Sequence, residues 1–482
     1  MSNPHVVIVL AAGEGTRMKS QTSKVLHQIA GRSLLHHVIA AVQPITGKEL
    51  RVVTGAHREE VDGHLAAIAP NAISVFQAER NGTGHAVQLA LAGADTTGSV
   101  LVVAGDTPLL TTATLSEFIG IHNESGSAAS VLTAIVPDQT GYGRIVRDEA
   151  DAIVKIVEER DANDGEKTID EINTGVYLFD NQILRELSAK LSKDNSQGEL
   201  YLTDVIALAR EAGKNVLAYP SLDFTETLGI NDRSQLAECA AIMRNRINEA
   251  HMKAGVAIID PTTTWIDCDV EIAADATIYP GSALSGKTAV AAKAVVGPRT
   301  TLVDCAVGEG ASVVESTCKG SIIGAEANVG PYTYLRPGTV LGKGTKAGAY
   351  VEMKNANLGE GSKVPHLSYV GDATIGVGSN IGAATIFVNY DGVEKHHSTV
   401  GDHVRVGSDS MIVAPVTIGD GAYTAAGSVI TENVPAGSIA VARAKQRNVL
   451  GWVMRKRAGS SSAKAAEAAG AGAESADNDK GR

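Results

Sequence analysis

Ile266-Asp-Cys-Asp-Val-Glu-Ile272-Ala-Ala-Asp-Ala-Thr-Ile278-Tyr-Pro-Gly-Ser-Ala-Leu284-Ser-Gly-Lys-Thr-Ala-Val290-Ala-Ala-Lys-Ala-Val-Val296-Gly-Pro-Arg-Thr-Thr-Leu302 returns an aliphatic side chain at every sixth residue. The beat resumes at Ile323, Val329, Leu335 and Leu341, and again at Val400, Val406, Ile412 and Ile418. A helix repeats every 3.6 residues and an alternating strand every two, so neither produces this pattern. A hexapeptide β-helix does: each hexad is a short strand and a turn, with the aliphatic residue facing a continuous core. Glycine follows many of these positions, as at Ile323-Gly324, Leu341-Gly342, Ile381-Gly382 and Ile418-Gly419, where the backbone must turn. Such repeats are scaffolds, and chemistry is expected where the beat breaks.

The chain has 482 residues, enough for two or three domains that each bury a core. Its formal net charge is −12, with 20% charged residues. That balance gives no electrostatic basis for nucleic acid or an anionic membrane as the main partner. Cys239, Cys268, Cys305 and Cys318 show no CxxC spacing, so neither zinc nor a disulfide framework is indicated. No segment reaches the roughly 18 apolar residues of a membrane span, and no leader pattern precedes the first strand. A soluble, unprocessed, cytoplasmic protein is expected.

Residues 1–230 read as alternating strands and helices, with strands at 5–10, 51–54, 73–76, 99–104, 129–136 and 172–179 and a helical pattern at 85–91. The expectation is an α/β domain on a mostly parallel sheet. Residues 231–254 carry Leu236, Ala240, Met243, Ile247 and Ala250 on one helical face, with Gly255 as a stop, and read as a linker helix. The hexads place a β-helix domain at 255–450. The Ala/Ser/Gly-rich tail, 451–482, is expected to lack regular structure from about Ala458.

Leu10-Ala11-Ala12-Gly13-Glu14-Gly15-Thr16-Arg17-Met18 follows the first strand. Two glycines let backbone amides approach an anion. On the glycines alone the segment reads equally as a tight turn. Arg17 and Lys24 tip the reading toward the triphosphate of a nucleotide. Asp106 ends the apolar strand 100–104 at its carboxyl edge, where open α/β sheets bind ligands, although a turn aspartate is the alternative. Asn231 precedes a helix, but Asp232 with Gln235 makes the better capping box, leaving Asn231 available.

Taken with Gln77-Ala78-Glu79, Gly82-Thr83-Gly84-His85-Ala86, Gly105-Asp106, Gly141-Tyr142-Gly143-Arg144, Ile172-Asn173-Thr174-Gly175 and the run from Gly198 to Asp204, the glycine loop resembles the sugar-phosphate nucleotidyltransferases. With the hexads, residues 5–450 resemble the bacterial bifunctional N-acetylglucosamine-1-phosphate uridylyltransferase/glucosamine-1-phosphate N-acetyltransferases. The resemblance implies a Rossmann-like nucleotidyltransferase domain, a linker helix and a left-handed parallel β-helix that assembles as a homotrimer. It implies synthesis of UDP-N-acetylglucosamine from glucosamine-1-phosphate, acetyl-coenzyme A and UTP. It also implies one or two Mg²⁺ ions on Asp106 and Asn231, with Arg17 and Lys24 steadying the triphosphate. Leu10, Ala11, Ala12, Gly13, Gln77, Gly82 and Thr83 then match nucleotide contacts, and Gly141, Glu158, Asn173 and Asn231 match sugar or ribose contacts. Glu158 alone also reads as a strand-edge carboxylate.

Between Tyr332 and Tyr390 the hexads carry residues a plain β-helix does not need: Arg336, Lys354, His366, Tyr369, Asn380, Asn389 and Tyr390. The resemblance gives Arg336 and Lys354 to the sugar phosphate and sets Tyr369, Asn380 and Asn389 around the sugar. His366 becomes the general base, and an imidazole with an ordinary pKa of about 6.5 suits that task. Acetyl-coenzyme A contacts match Ala383, Asn389, Tyr390, Ser408, Ala426 and Arg443, and Lys395 is expected to reach a neighbouring subunit. Arg443, Lys445 and Arg447 read either as a site for coenzyme A phosphates or as a solvated charged turn. Ala384 stands where these proteins commonly carry glycine, a minor change unless the backbone there needs positive φ. Two rival readings are a uridylyltransferase whose β-helix only oligomerises, and a sugar-nucleotide-binding regulator.

Overall fold

The computed structural model describes residues 3–471 and divides the chain into two compact units, Met1–Gly344 and Thr345–Arg482. In the first unit, β1 (Val6–Ala11), β2 (Glu49–Thr54), β3 (Ile73–Phe76), β4 (Ser99–Ala104), β5 (Ala129–Ile135), β6 (Arg144–Arg147), β7 (Ile153–Val157), β8 (Glu171–Asp180) and β9 (Val216–Pro220) form one sheet. Its order is β9-β5-β8-β4-β1-β2-β3, with β6 on β8 and β7 on β6. β1 is a nearly unbroken apolar run because both faces are covered: Val6 and Ile8 enter one core, Val7 and Val9 the other. Neighbours β2 and β4 run parallel to it. β8 is antiparallel to both β4 and β5, so the sheet is mixed where mainly parallel pairing is expected.

The linker helix spans Arg233–Lys253. Cys239 and Met243, flanked by Leu236, Ala240 and Ile247, pack on Met18, Ile29, Leu34, Leu109 and Ile230. Ala250 is exposed, unlike its expected place on the buried face. Asn248 takes the interior instead, because its Nδ2 donates to the carbonyls of Pro261 (2.9 Å) and Thr264 (3.0 Å). Gly255 ends the helix with φ +95°.

The hexads of this unit wind as three parallel ladders. Ile258, Ile278, Val296, Val313 and Val329 stack on the first. Ile266, Leu284, Leu302, Cys318 and Leu335 form the second. Ile272, Val290, Val307, Ile323 and Leu341 form the third. The beat lost in sequence after Leu302 is therefore unbroken in space: coils shortened by a residue or two bring Val307, Val313 and Cys318 into the core.

The second unit repeats the plan. Ala347, Met353, Leu358, Val364, Val370, Ile375, Ile381 and Phe387 are all buried, so the core runs on beneath the chemistry-bearing residues. The long interruption lies between Phe387 and Val400, where residues 389–397 leave the coil. The fold class is thus a Rossmann-like α/β domain followed by a left-handed parallel β-helix. The tail differs from its expectation. Ser461–Ala468 is a helix, its N-cap Ser460 accepting from the Ala463 amide and Ala463 buried. Alanine is the best helix former, and a good cap starts the first turn. Residues 472–482 of the expected tail lie outside the described residues. No described helix is long and apolar enough to cross a membrane.

Candidate active sites

The first site forms at the carboxyl edges of β1 and β4. Parallel pairing sets Leu10 beside Ala104, and the Gly105 amide donates to the Leu10 carbonyl at 2.9 Å. The chain exits frame a cavity of about 350 Å³, lined by Leu10, Ala11, Ala12, Gly13, Lys24, Gln77, Gly82, Thr83 and Asp106. Gln77 is held by its amide bond to the Thr54 carbonyl (2.9 Å) and by Nε2 on the Gly82 carbonyl (3.1 Å). Gly82 has φ +98°, and a Cβ there would lie 2.5 Å from the Leu200 carbonyl, so only glycine fits.

Lys24 pairs through Nζ with Asp106 and donates to Asn231 Oδ1 at 3.2 Å. Two hard oxygen donors thus converge on one cation. The Ile230 amide donates to the Asp106 carbonyl at 3.0 Å and brings Asn231 alongside. Asp232 Oδ1 caps the amides of Ser234 and Gln235, each at 2.9 Å, but Gln235 Oε1 accepts from the Asn231 amide at 2.8 Å. The return bond of the expected capping box therefore lands one residue early, and the Asn231 side chain stays with the site. Among the described residues no three His, Cys, Asp or Glu side chains are placed to hold a metal. An ion on Asp106 and Asn231 would take its other ligands from phosphate and water, as Mg²⁺ commonly does.

Arg17 sits exposed in the turn Thr16–Met18, does not line the cavity and joins no ion pair among the described residues. Arg80, Gly175, Tyr177 and Glu199 also line it; Gly175 and Glu199 stand within motifs read from sequence but without an assigned role, and Arg80 and Tyr177 were not singled out. Arg80 directly follows Gln77-Ala78-Glu79, which is the signal that was available, and it pairs with Glu14 of the glycine loop.

Gly141, Glu158 and Asn173 gather around Arg144 rather than on the cavity wall. The Arg144 guanidinium, 2% exposed, donates to the Tyr142 carbonyl and to Glu159 Oε2 (2.6 Å). The Asn173 amide donates to the Gly143 carbonyl at 2.8 Å, next to a β-bulge between Asn173 and Val176 that re-aims the strand. Burial raises the Glu158 carboxyl above its ordinary range. The Thr203 hydroxyl opposes that shift, and the charges of Asp204 and Asp161 add to it. Tyr177 joins the two groups: it lines the cavity, and the Asn173 side chain partly offsets the upward push of burial on its hydroxyl.

The second group of residues lies in the unit Thr345–Arg482, except Arg336, which follows the strand Tyr334–Leu335 of the first unit. His366 ends the strand Lys363–His366. It is exposed, and its imidazole makes no hydrogen bond among the described residues, while its carbonyl accepts from Ser368 Oγ (2.7 Å) and the Ala384 amide (3.2 Å). Lys354 stands opposite Gly371, on a different ladder from His366, whose neighbour is Ala349. A Cβ on Gly371 would come within 2.4 Å of the Tyr369 hydroxyl and 2.7 Å of Asn389 Nδ2, so both side chains close over that α-carbon.

Asn389 Nδ2 donates to Asp372 Oδ2 at 2.5 Å, and Asn355 Nδ2 to Asp372 Oδ1 at 2.8 Å. Burial pushes the Asp372 carboxyl up, but the two amides and the charges of Lys354 and Lys395 hold it below the ordinary range. Sequence reading passed over this carboxylate, although it is the sole acidic residue between Glu360 and Asp391. Lys395 lies in the excursion, which Asp391 braces through the amides of Val393 (2.8 Å) and Glu394 (2.7 Å) and His396 Nε2 (2.8 Å). Tyr390 bridges to Lys395 there.

Asn380 begins a strand between Lys363 and Arg405. Ala383, Ser408 and Ala426 occupy successive turns beyond that ladder. The Asp409 amide donates to the Ala383 carbonyl (2.7 Å) and the Gly427 amide to the Ser408 carbonyl (2.9 Å). Arg443 Cδ would lie 3.9 Å from a Cβ on Gly427, which sets it on the next turn of the same corner. Arg443, Lys445 and Arg447 are all exposed.

Residues 7–169 match the MobA-like NTP transferase domain, and residues 397–432 match the bacterial transferase hexapeptide (six repeats). The bifunctional protein GlmU of Streptomyces avermitilis is 56% identical over 469 residues, covering 97% of both chains. The chain belongs to the GlmU family of bifunctional proteins. The GlmU protein of Mycolicibacterium vanbaalenii is 51% identical, covering 95% of this chain and 94% of its own, and that of Corynebacterium diphtheriae 50%, covering 97% and 98%. As a GlmU relative this chain is an enzyme with a nucleotidyltransferase half and a hexapeptide transferase half, and the membership supports both uridylyl and acetyl transfer.

Proposed function

We propose that the chain makes UDP-N-acetylglucosamine in two transfers. Acetyl-coenzyme A first acetylates glucosamine-1-phosphate on the β-helix, and the product then reacts with UTP in the N-terminal cavity. The observation that carries this reading is the convergence of Lys24, Asp106 and Asn231 beside a nucleotide-sized cavity, on a chain that also carries the stacked corner from Ala383 to Arg443.

At the first step the sugar amine attacks the thioester carbon, the coenzyme A thiolate leaves, and His366 takes the amine proton. Arg336 and Lys354 hold the sugar phosphate, with Tyr369, Asn380 and Asn389 around the ring. Ala383, Tyr390, Ser408, Ala426 and Arg443 hold coenzyme A. At the second step a sugar-phosphate oxygen attacks the α-phosphorus of UTP and the bond to pyrophosphate breaks. The glycine loop, Gln77, Gly82 and Thr83 position the nucleotide, and Arg17 and Lys24 offset its charge. Gly141, Glu158 and Asn173 hold the sugar. Bound at Asp106 and Asn231, Mg²⁺ supplies charge neutralisation on the phosphates.

The working protein is read as a cytoplasmic homotrimer in which Lys395 reaches a neighbouring subunit. Its functional segments are 1–230, 231–254 and 255–450, with 451–482 as the tail. The test compares wild type with His366→Ala for acetyl-coenzyme A consumption and for UTP-dependent pyrophosphate release. Loss of the first with retention of the second is expected. A wild type that never consumes acetyl-coenzyme A would reduce the β-helix to a scaffold.

A further inference from the structure

The attacking amine must keep its lone pair for the thioester carbon, so it offers only N–H bonds to its surroundings. A neighbouring acceptor orients it, whereas a neighbouring donor competes for the lone pair. Asn389 carries one of each on a single carboxamide, and turning that group exchanges them. Its Nδ2 meets Asp372 Oδ2 at 2.5 Å, and its Oδ1 accepts no bond among the described residues. A carboxylate only accepts, so the end of the amide that touches it must be the NH₂.

We propose that Asp372 is a positioning residue for acetyl transfer, fixing the Asn389 carboxamide so that its oxygen, not its nitrogen, faces the sugar amine. This rests on the acetyl-transfer reading of the site. Asn355 Nδ2, 2.8 Å from Asp372 Oδ1, braces the carboxylate from the other side. The charges of Lys354 and Lys395 favour its ionised form at neutral pH, and only that form lacks a donor. A carboxamide at 372 both donates and accepts, so it leaves Asn389 able to present either end.

A double-mutant cycle in the full-length chain tests this: wild type, D372N, N389A and the double variant, assayed for acetyl-coenzyme A consumption with glucosamine-1-phosphate. Pyrophosphate release on the same samples controls for folding. D372N is expected to lower kcat about tenfold, with KM for acetyl-coenzyme A held within about twofold. It should add no further loss once Asn389 is alanine. Losses that multiply in the double variant would show Asp372 acting independently of Asn389 and overturn the proposal, as would a D372N enzyme with wild-type kcat. If D372N does not accumulate as folded protein, D372S completes the same cycle. Absence of acetyl transfer in the wild type would sink the acetyl-transfer reading itself.

Discussion

Ala384 has φ +57°, in the left-handed region where a Cβ crowds the backbone. The sequence marks this position as a departure from glycine that matters only under that condition, and the condition holds. Ala384→Gly should stabilise the chain by about 1 kcal/mol, since relief of left-handed strain outweighs the added freedom of glycine when unfolded. Urea unfolding would measure it, and an unchanged midpoint would contradict it. Glu158 makes a different prediction. Burial raises its folded-state carboxyl above the unfolded value, so its ionised form penalises the fold. The penalty is absent below the unfolded pKa and is fully felt once pH exceeds the raised folded one. Glu158→Gln should therefore raise Tm at pH 8, with the gain fading as pH falls toward the ordinary carboxylate range. A gain independent of pH would argue against burial as the cause.

At the scale of elements, the start of the linker helix ties architecture to chemistry. Asp232 caps two amides while the adjacent Asn231 faces Lys24. Asp232→Ala should cost about 1 kcal/mol of stability and weaken UTP use through Asn231, leaving acetyl transfer unchanged. A variant that loses stability but keeps its KM for UTP would separate cap from site. Most elements were legible: strands 73–76 and 99–104 have the bounds read from sequence, because β-branched runs between turn residues mark them plainly. What escaped was anything depending on partners. β8 runs antiparallel through pairing that no local pattern encodes. Cys318 fills an aliphatic slot because its coil is short. Asp372 looks like any turn aspartate until Asn355 and Asn389 close on it.

At the scale of the molecule, the two chemistries were legible because each sits on a repeating or alternating scaffold that exposes its irregular residues. Much of the cavity lining was readable from one short loop and two strand ends. The group around Arg144 was not, since Gly141, Glu158 and Asn173 meet only when β6 pairs with β7 and β8, a pairing no local pattern encodes. The corner proposed for coenzyme A adds something a single pocket lacks. Ala383, Ser408, Ala426 and Arg443 stand on consecutive rungs about 4.8 Å apart, so the corner spans about 14 Å. Such a corner is a measuring stick graduated in coils. Excising one whole coil would leave the aliphatic stack in phase yet shorten the stick by a single mark. If coenzyme A binds there as proposed, the length of ligand the corner accepts is written as a number of turns, open to editing by insertion or deletion without rewriting a core residue.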